Sequence, residues 1–137
     1  MDRFHYAFGV SNLDQTRNFY QDILGCAIGR SSEKWIDFDF RGHQITAHLA
    51  QKQTVNHNPV DGDQVPIPHF GVILPWPDWQ ALADRLKALN VSFVIEPRIR
   101  FQGQAGEQGT FFIRDPSGNH LEFKTFQSET TIFERGA

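Results

Sequence analysis

Phe111-Phe112-Ile113-Arg114-Asp115-Pro116-Ser117-Gly118-Asn119-His120-Leu121-Glu122-Phe123-Lys124 reads as two β-strands around a tight turn. Proline fixes one backbone dihedral of Asp-Pro-Ser-Gly-Asn and glycine accepts a positive φ, so the chain reverses there and the flanking runs pair as a hairpin. Alternation puts Leu121 and Phe123 on one face and His120, Glu122 and Lys124 on the other. A carboxylate thus stands on a sheet face whose reverse packs a core. His120, beside the turn, is read as solvated or as a contact to the turn backbone.

Upstream of this hairpin lies a strand, His69–Leu74, in which Phe70, Val72 and Leu74 oppose His69, Gly71 and Ile73. A helix near Asp78–Leu89 follows, with Trp79, Leu82, Leu86 and Leu89 at helical spacing, then a strand at Val91–Glu96 and a loop from Pro97 to Gln108. The first half has the same order. Phe4–Val10 alternates Phe4, Tyr6, Phe8 and Val10 against His5, Ala7 and Gly9. An amphipathic helix runs from an N-cap at Ser11-Asn12 to Gly25, and strands are expected near Cys26–Arg30, Lys34–Phe40 and His43–Ala50. On the third of these strands His43, Ile45, Ala47 and Leu49 oppose Gln44, Thr46 and His48. Between the halves, Lys52–Pro68 is rich in Pro, Asn, Asp and Gly without apolar period, and reads as a linker or surface loop.

The chain is therefore expected to be one α+β domain over residues 1–137: a first βαβββ module at about 3–51, the linker at about 52–68, a second module at about 69–126 and a tail at 127–137. At 137 residues, 39% apolar and 13% aromatic, it has enough apolar surface for a core without cross-links. A net charge of −3 with mixed signs and no basic stripe argues against nucleic acid as a partner. No apolar run approaches the roughly 18 residues of a membrane span. The single cysteine, Cys26, and an N-terminus without a secretory pattern point to the cytoplasm.

Each module has one apolar sheet face to cover with its helix. The two are expected to pair into a curved mixed sheet around a shared cavity, with the helices on the outer face. His5, His69 and Glu122 then look into that cavity. Two imidazoles and a carboxylate on different strands suit a divalent metal that keeps open coordination positions for water, substrate or dioxygen. Trp35, Asp37 and Asp39 share the inward parity of their strand, and His48 carries an imidazole on the polar side of the next one.

These residues resemble the vicinal oxygen chelate superfamily, which holds glyoxalase I, fosfomycin-resistance enzymes, bleomycin-binding proteins and extradiol dioxygenases. The resemblance covers about residues 3–126. It is carried by His5 ahead of Phe8-Gly9-Val10, the helix end Asn18-Phe19-Tyr20-Gln21-Asp22-Ile23-Leu24-Gly25, His69-Phe70-Gly71-Val72, and Asp115-Pro116-Ser117-Gly118-Asn119-His120-Leu121-Glu122-Phe123. It implies metal ligands at His5, His69 and Glu122 and a homodimer. One position departs from the glyoxalase pattern: counted from the turn glycines, Thr46 stands where Glu122 stands in the second module, so a fourth ligand is missing. His48, one step further on that face, is read either as a replacement for that ligand, if the turn is two residues longer, or as an acid or base beside the metal.

The expected function is a metal-dependent enzyme, extradiol-dioxygenase-like, that chelates a small-molecule substrate through neighbouring oxygens. Three protein ligands leave the open positions that dioxygen chemistry needs. Fe2+ is favoured, with Mn2+, Ni2+ or Zn2+ as the other divalent ions considered. A glyoxalase-like lyase and a metal-free antibiotic-binding protein are the alternatives.

Overall fold

The computed structural model describes residues 2–51 and 53–135. The chain forms two compact units, Met1–Thr54 with Asp115–Asn119, and Val55–Arg114 with His120–Ala137. Each contains one strand, helix and three further strands, so the α+β reading with two βαβββ modules holds. Among the described residues no helix is long and apolar enough to cross a membrane.

In the first unit, β1 (His5–Val10) leads into α1 (Leu13–Asn18), which continues as a π-helical turn over Phe19–Ile23. The Asn12 side chain accepts the Gln15 amide and caps α1. Gly25, at φ 76°, ends the helical segment where a residue with a Cβ would be strained. Strands β2 (Ala27–Ser31), β3 (Trp35–Phe40) and β4 (His43–Leu49) complete a four-stranded sheet ordered β1-β4-β3-β2, with β1 parallel to β4 and the other pairs antiparallel. Its apolar face buries Phe8, Val10, Ile36, Phe38, Ile45 and Ala47. Tyr20 lies over that face with ring centroids 5.6 Å from Phe8 and 5.1 Å from Phe38.

The turn Asp115–Asn119 belongs to this unit, and its contacts show why. The buried Asp115 carboxylate accepts four hydrogen bonds. The Ser117 and Asn119 amides, each at 2.9 Å, bond Oδ1, while the Tyr20 hydroxyl and Asn119 Nδ2, each at 2.9 Å, bond Oδ2. Asn119 Nδ2 also donates to the Gly9 carbonyl at 2.8 Å, and the Ser11 amide donates to Ser117 Oγ at 2.9 Å. Burial, followed by the charge of Asp115, holds the Tyr20 phenol well above its ordinary pKa, so it remains a donor.

In the second unit, β7 (His69–Ile73), α2 (Trp76–Ala88), β8 (Phe93–Arg100), β9 (Gln108–Arg114) and β10 (His120–Phe126) form a sheet ordered β7-β10-β9-β8, preceded by a hairpin of β5 (Asn56–Val60) and β6 (Asp63–Ile67). Strands β7 and β10 are parallel; β10, β9 and β8 pair antiparallel. Helix α2 packs Trp79 against Phe111, 5.7 Å between centroids, and the indole N–H donates to the Phe123 carbonyl at 2.9 Å.

Three sequence expectations shift. The stretch read as a linker or loop, Lys52–Pro68, contains the β5–β6 hairpin, while Lys52 itself lies outside the described residues. Asp61-Gly62 turns it with φ of 44° and 85°, both positive as a two-residue hairpin turn requires. Prolines at 59 and 66 hid it, yet a two-stranded ribbon has only edges and tolerates them. Second, β8 runs on to Arg100 through Pro97, so the expected Pro97–Gln108 loop begins later. Third, α2 starts at Trp76, two residues before the expected Asp78, because Pro77 sits in its first turn where no amide partner is needed.

Candidate metal centre

His69 opens β7 and Glu122 sits on β10, and the parallel register places His69 opposite His120 and Gly71 opposite Glu122. Parallel pairing slants the two side chains toward each other: His69 Nε2 lies 3.1 Å from Glu122 Oε1. The approach depends on Gly71. A Cβ there would collide with the Glu122 carbonyl oxygen, so only glycine lets β7 come this close to β10. Gly71→Ala is therefore expected to cost about 2–3 kcal/mol by forcing the strands apart, read by chemical denaturation.

Both ends of the pair are fixed. The Pro66 carbonyl can only accept, and it lies 2.7 Å from His69 Nδ1, so that nitrogen donates to it, while Nε2 faces the carboxylate and donates to it when the ring is protonated. Thr110 Oγ1 donates to the second carboxylate oxygen, Glu122 Oε2, at 2.6 Å. Phe112 meets the imidazole edge-on at 5.0 Å between centroids. Glu122 is the more covered of the two, its side chain 11% exposed against 28% for His69. His120 is buried, which removes the solvated one of its two expected placements.

Hydrogen bonding to Glu122 raises the His69 pKa from 6.5; burial opposes this and the Pro66 carbonyl adds to it. For Glu122, burial pushes upward, but the hydrogen bonds from His69 and Thr110 and the charge of Lys124 outweigh it, so its pKa falls below 4.5. The signs fix a pH window for the metal-free protein. The His69 contribution to stability is complete below pH 6.5 and is lost as pH rises through the raised value; that of Glu122 is complete above pH 4.5 and is lost as pH falls through the lowered value. Glu122→Gln is expected to lower the melting temperature most between those limits and progressively less on either side, as followed by thermal melts across pH.

The same geometry suits a cation. Two donors about 2.1 Å from one ion and at right angles to it are about 3 Å apart, close to the observed 3.1 Å. A ligating imidazole usually donates its other N–H to a carbonyl or carboxylate, which is the place Pro66 takes. The donor set of His69 and Glu122 therefore fits an edge of a divalent metal site. Among the described residues, however, no group of three His, Cys, Asp or Glu side chains comes together to hold a metal.

The other two singled-out histidines are in the first unit. His5 opens β1 opposite Gln44 and is exposed; His48, also exposed, lies on β4 opposite Gly9 and Trp35, on the same face as His5. Thr46 is opposite Ala7, two residues beyond His5, just as Glu122 is opposite Gly71, two beyond His69. The equivalence counted from the turn glycines is thus the equivalence of the sheets. Thr46 Oγ1 donates to Asp37 Oδ1 at 2.7 Å, so hydroxyl and carboxylate have exchanged strands relative to the second module. Asp37 and Asp39 line a cavity of about 350 Å³ in this unit together with Gln44 and Arg30.

Sequence reading missed Thr110, Gly71 and the Pro66 carbonyl. Thr110 had a signal, because counting back from the turn puts it opposite Lys124, on the Glu122 face. Pro66 had none, being a backbone acceptor inside a segment without periodicity.

The profile of the Glyoxalase/Bleomycin resistance protein/Dioxygenase superfamily matches residues 3–123. The structure is similar to a glyoxalase/bleomycin resistance protein/dioxygenase from Alicyclobacillus acidocaldarius, at 31% identity over 96% of each chain with a TM-score of 0.83. The fold is also that of the fosfomycin resistance protein FosX from Listeria monocytogenes, at 20% identity over 97% of this chain and 98% of the other, with a TM-score of 0.68. A lactoylglutathione lyase from Agrobacterium tumefaciens shares it at 16% identity over 92% and 94%, with a TM-score of 0.65. On the profile match and the two βαβββ modules, the chain belongs to the Glyoxalase/Bleomycin resistance protein/Dioxygenase superfamily.

Proposed function

We propose that the protein is a metal-dependent enzyme of this superfamily, extradiol-dioxygenase-like, in which His69 and Glu122 hold a divalent ion, Fe2+ by preference; His5 is kept from the sequence pattern as the proposed third ligand. The observation that carries the reading is the His69–Glu122 pair, 3.1 Å between donor atoms, with the Pro66 carbonyl 2.7 Å from Nδ1, where it accepts that nitrogen's proton and leaves Nε2 for a metal. A divalent ion bound there would act as a Lewis acid toward two neighbouring oxygens of a small substrate. The chain's own residues prepare that: Thr110 holds the Glu122 carboxylate in one orientation, Pro66 keeps Nε2 directed at it, and His48 is assigned to move a proton to or from the substrate. Thr46 in place of a fourth acidic ligand favours this reading over a glyoxalase-like lyase. The functional form is proposed to be a cytoplasmic homodimer, which light scattering on the purified protein tests.

Elemental analysis of protein purified without chelators comes first. Less than about a tenth of an equivalent of transition metal, with no uptake on titration, would sink the metal reading and favour a metal-free binding protein. Oxygen uptake by Fe2+-loaded protein with catechols is expected. Turnover confined to the methylglyoxal–glutathione adduct would instead make it a lyase.

A further inference from the structure

The β5–β6 hairpin packs Val65 against Phe112, on the sheet face that carries Glu122, and its Pro66 carbonyl meets His69 Nδ1 at 2.7 Å. We propose that Arg98 and Arg100 are positioning residues for His69: by latching this hairpin to β8 they hold the Pro66 carbonyl that keeps the imidazole proton on Nδ1. The inference rests on the reading of His69 and Glu122 as metal donors.

The latch is at the hairpin tip. Arg98 Nη2 donates to Asp61 Oδ2 at 2.9 Å and Nη1 to Asp63 Oδ2 at 3.0 Å, and the Phe101 amide donates to Asp61 Oδ2 at 3.2 Å. Arg100, 2% exposed, donates from Nη1 to the Val60 carbonyl at 2.6 Å and places Nη2 3.0 Å from Asp63 Oδ2. Exposed ion pairs taken singly contribute little, but here a buried guanidinium and a half-exposed one share the same carboxylate, so tip and strand are held as a network. Below the tip, Val65 is buried with Ile95 and Phe112, and Val60 packs against the same cluster. At the base, three residues along β6 from Asp63, comes the Pro66 carbonyl, 2.7 Å from His69 Nδ1.

A two-stranded hairpin is marginal by itself, so where it lies is decided by what anchors it. An extended strand passes a displacement of its tip along its length. A carbonyl, unlike a side chain, has no rotamer with which to follow the imidazole. If the hairpin shifts, Nδ1 loses its acceptor, and a neutral imidazole becomes free to carry its proton on Nε2, the nitrogen a metal needs.

The test is the double variant Arg98→Ala/Arg100→Met. Methionine fills the buried stem's space without a charge, and Asp61 and Asp63, both partly exposed, become solvated, so a cooperative melt is expected to persist. Two quantities are read: Zn2+ affinity by chelator competition, and the His69 ring by long-range 15N–1H spectra with and without Zn2+. The native protein is expected to show a slowly exchanging Nδ1 proton in both states. The double variant should bind Zn2+ about ten- to hundredfold more weakly and lose the slow exchange. Native-like affinity together with an unchanged Nδ1 proton would overturn the proposal. If the native protein takes up no Zn2+, the metal reading fails, and the Nδ1 proton of the metal-free protein still decides the positioning: its retention in the double variant refutes it, its loss supports it. Should the double variant fail to fold, Arg98→Ala alone is read the same way, with faster Nδ1 exchange supporting the proposal and native exchange refuting it.

Discussion

Glu122→Ala is expected to lower divalent-metal affinity by at least about a hundredfold, to the point where stoichiometric uptake is lost, while the chain still folds cooperatively. A carboxylate ligand supplies charge as well as an oxygen donor, and even outer partners of a metal site are worth ten- to hundredfold. The fold survives because the Glu122 side chain sits on the polar face of β10, and the apolar reverse, Leu121 and Phe123, is untouched. What the substitution strands is the Thr110 hydroxyl and His69 Nε2, and the imidazole, partly exposed, can turn to water. A stability loss of no more than about 2 kcal/mol follows. Titration with Zn2+ or Fe2+ followed by elemental analysis checks the first part and a thermal melt the second. A variant that keeps full occupancy would show that Glu122 is not a ligand.

Asp115→Ala is expected to have the largest effect on stability, about 3–5 kcal/mol, or roughly 10–15 °C in melting temperature. Its carboxylate is buried and accepts the Tyr20 hydroxyl, two turn amides and Asn119 Nδ2. Removing it leaves a tyrosine hydroxyl, on a residue with 0% exposure, without an acceptor, and frees the turn that Gly118, at φ 87°, shapes. Asp115→Asn keeps one acceptor oxygen and should recover about half of the loss. Tyr20→Phe removes only one of the four bonds and should cost about 1–2 kcal/mol. Equilibrium denaturation of the three variants gives the order, and an Asp115→Ala midpoint equal to the native one would show that the carboxylate does not anchor the turn.

Strand alternation made most of this legible. A period of two decides which face each residue joins, so the sharing of a face by His69 and Glu122, the apolar backs Phe70–Val72 and Leu121–Phe123, and the correspondence of Thr46 with Glu122 all follow from counting. The helices were legible through Asn12, Gly25 and the spacing of Trp79, Leu82 and Leu86. The π-helical turn at Phe19–Ile23 was not, because its residues fit an α-helical stripe equally well. Nor was the β5–β6 hairpin, since Val60 and Val65 find their apolar partners on β8 and β9, outside their own segment. The Asp61-Gly62 dipeptide was the one local sign of it. At the candidate site, side-chain types were readable and backbone acceptors were not. The Pro66 carbonyl has no signature, and the burial of Glu122 depends on Thr110 and on how closely Gly71 lets two strands approach.

The turn Asp115–Asn119 bears on how the chain reaches this structure. Tyr20 and Asp115 are 95 positions apart, and Gly9 and Asn119 are 110 apart. The first unit therefore draws one of its walls from a segment that leaves the ribosome long after the rest of it, and closing so long a loop is an entropic cost met late. Until that turn arrives, the Tyr20 hydroxyl, the Ser11 amide and the Gly9 carbonyl must be satisfied by water. The N-terminal half of the chain, although one repeat by pattern, therefore completes its own hydrogen bonding only with a segment of the other repeat.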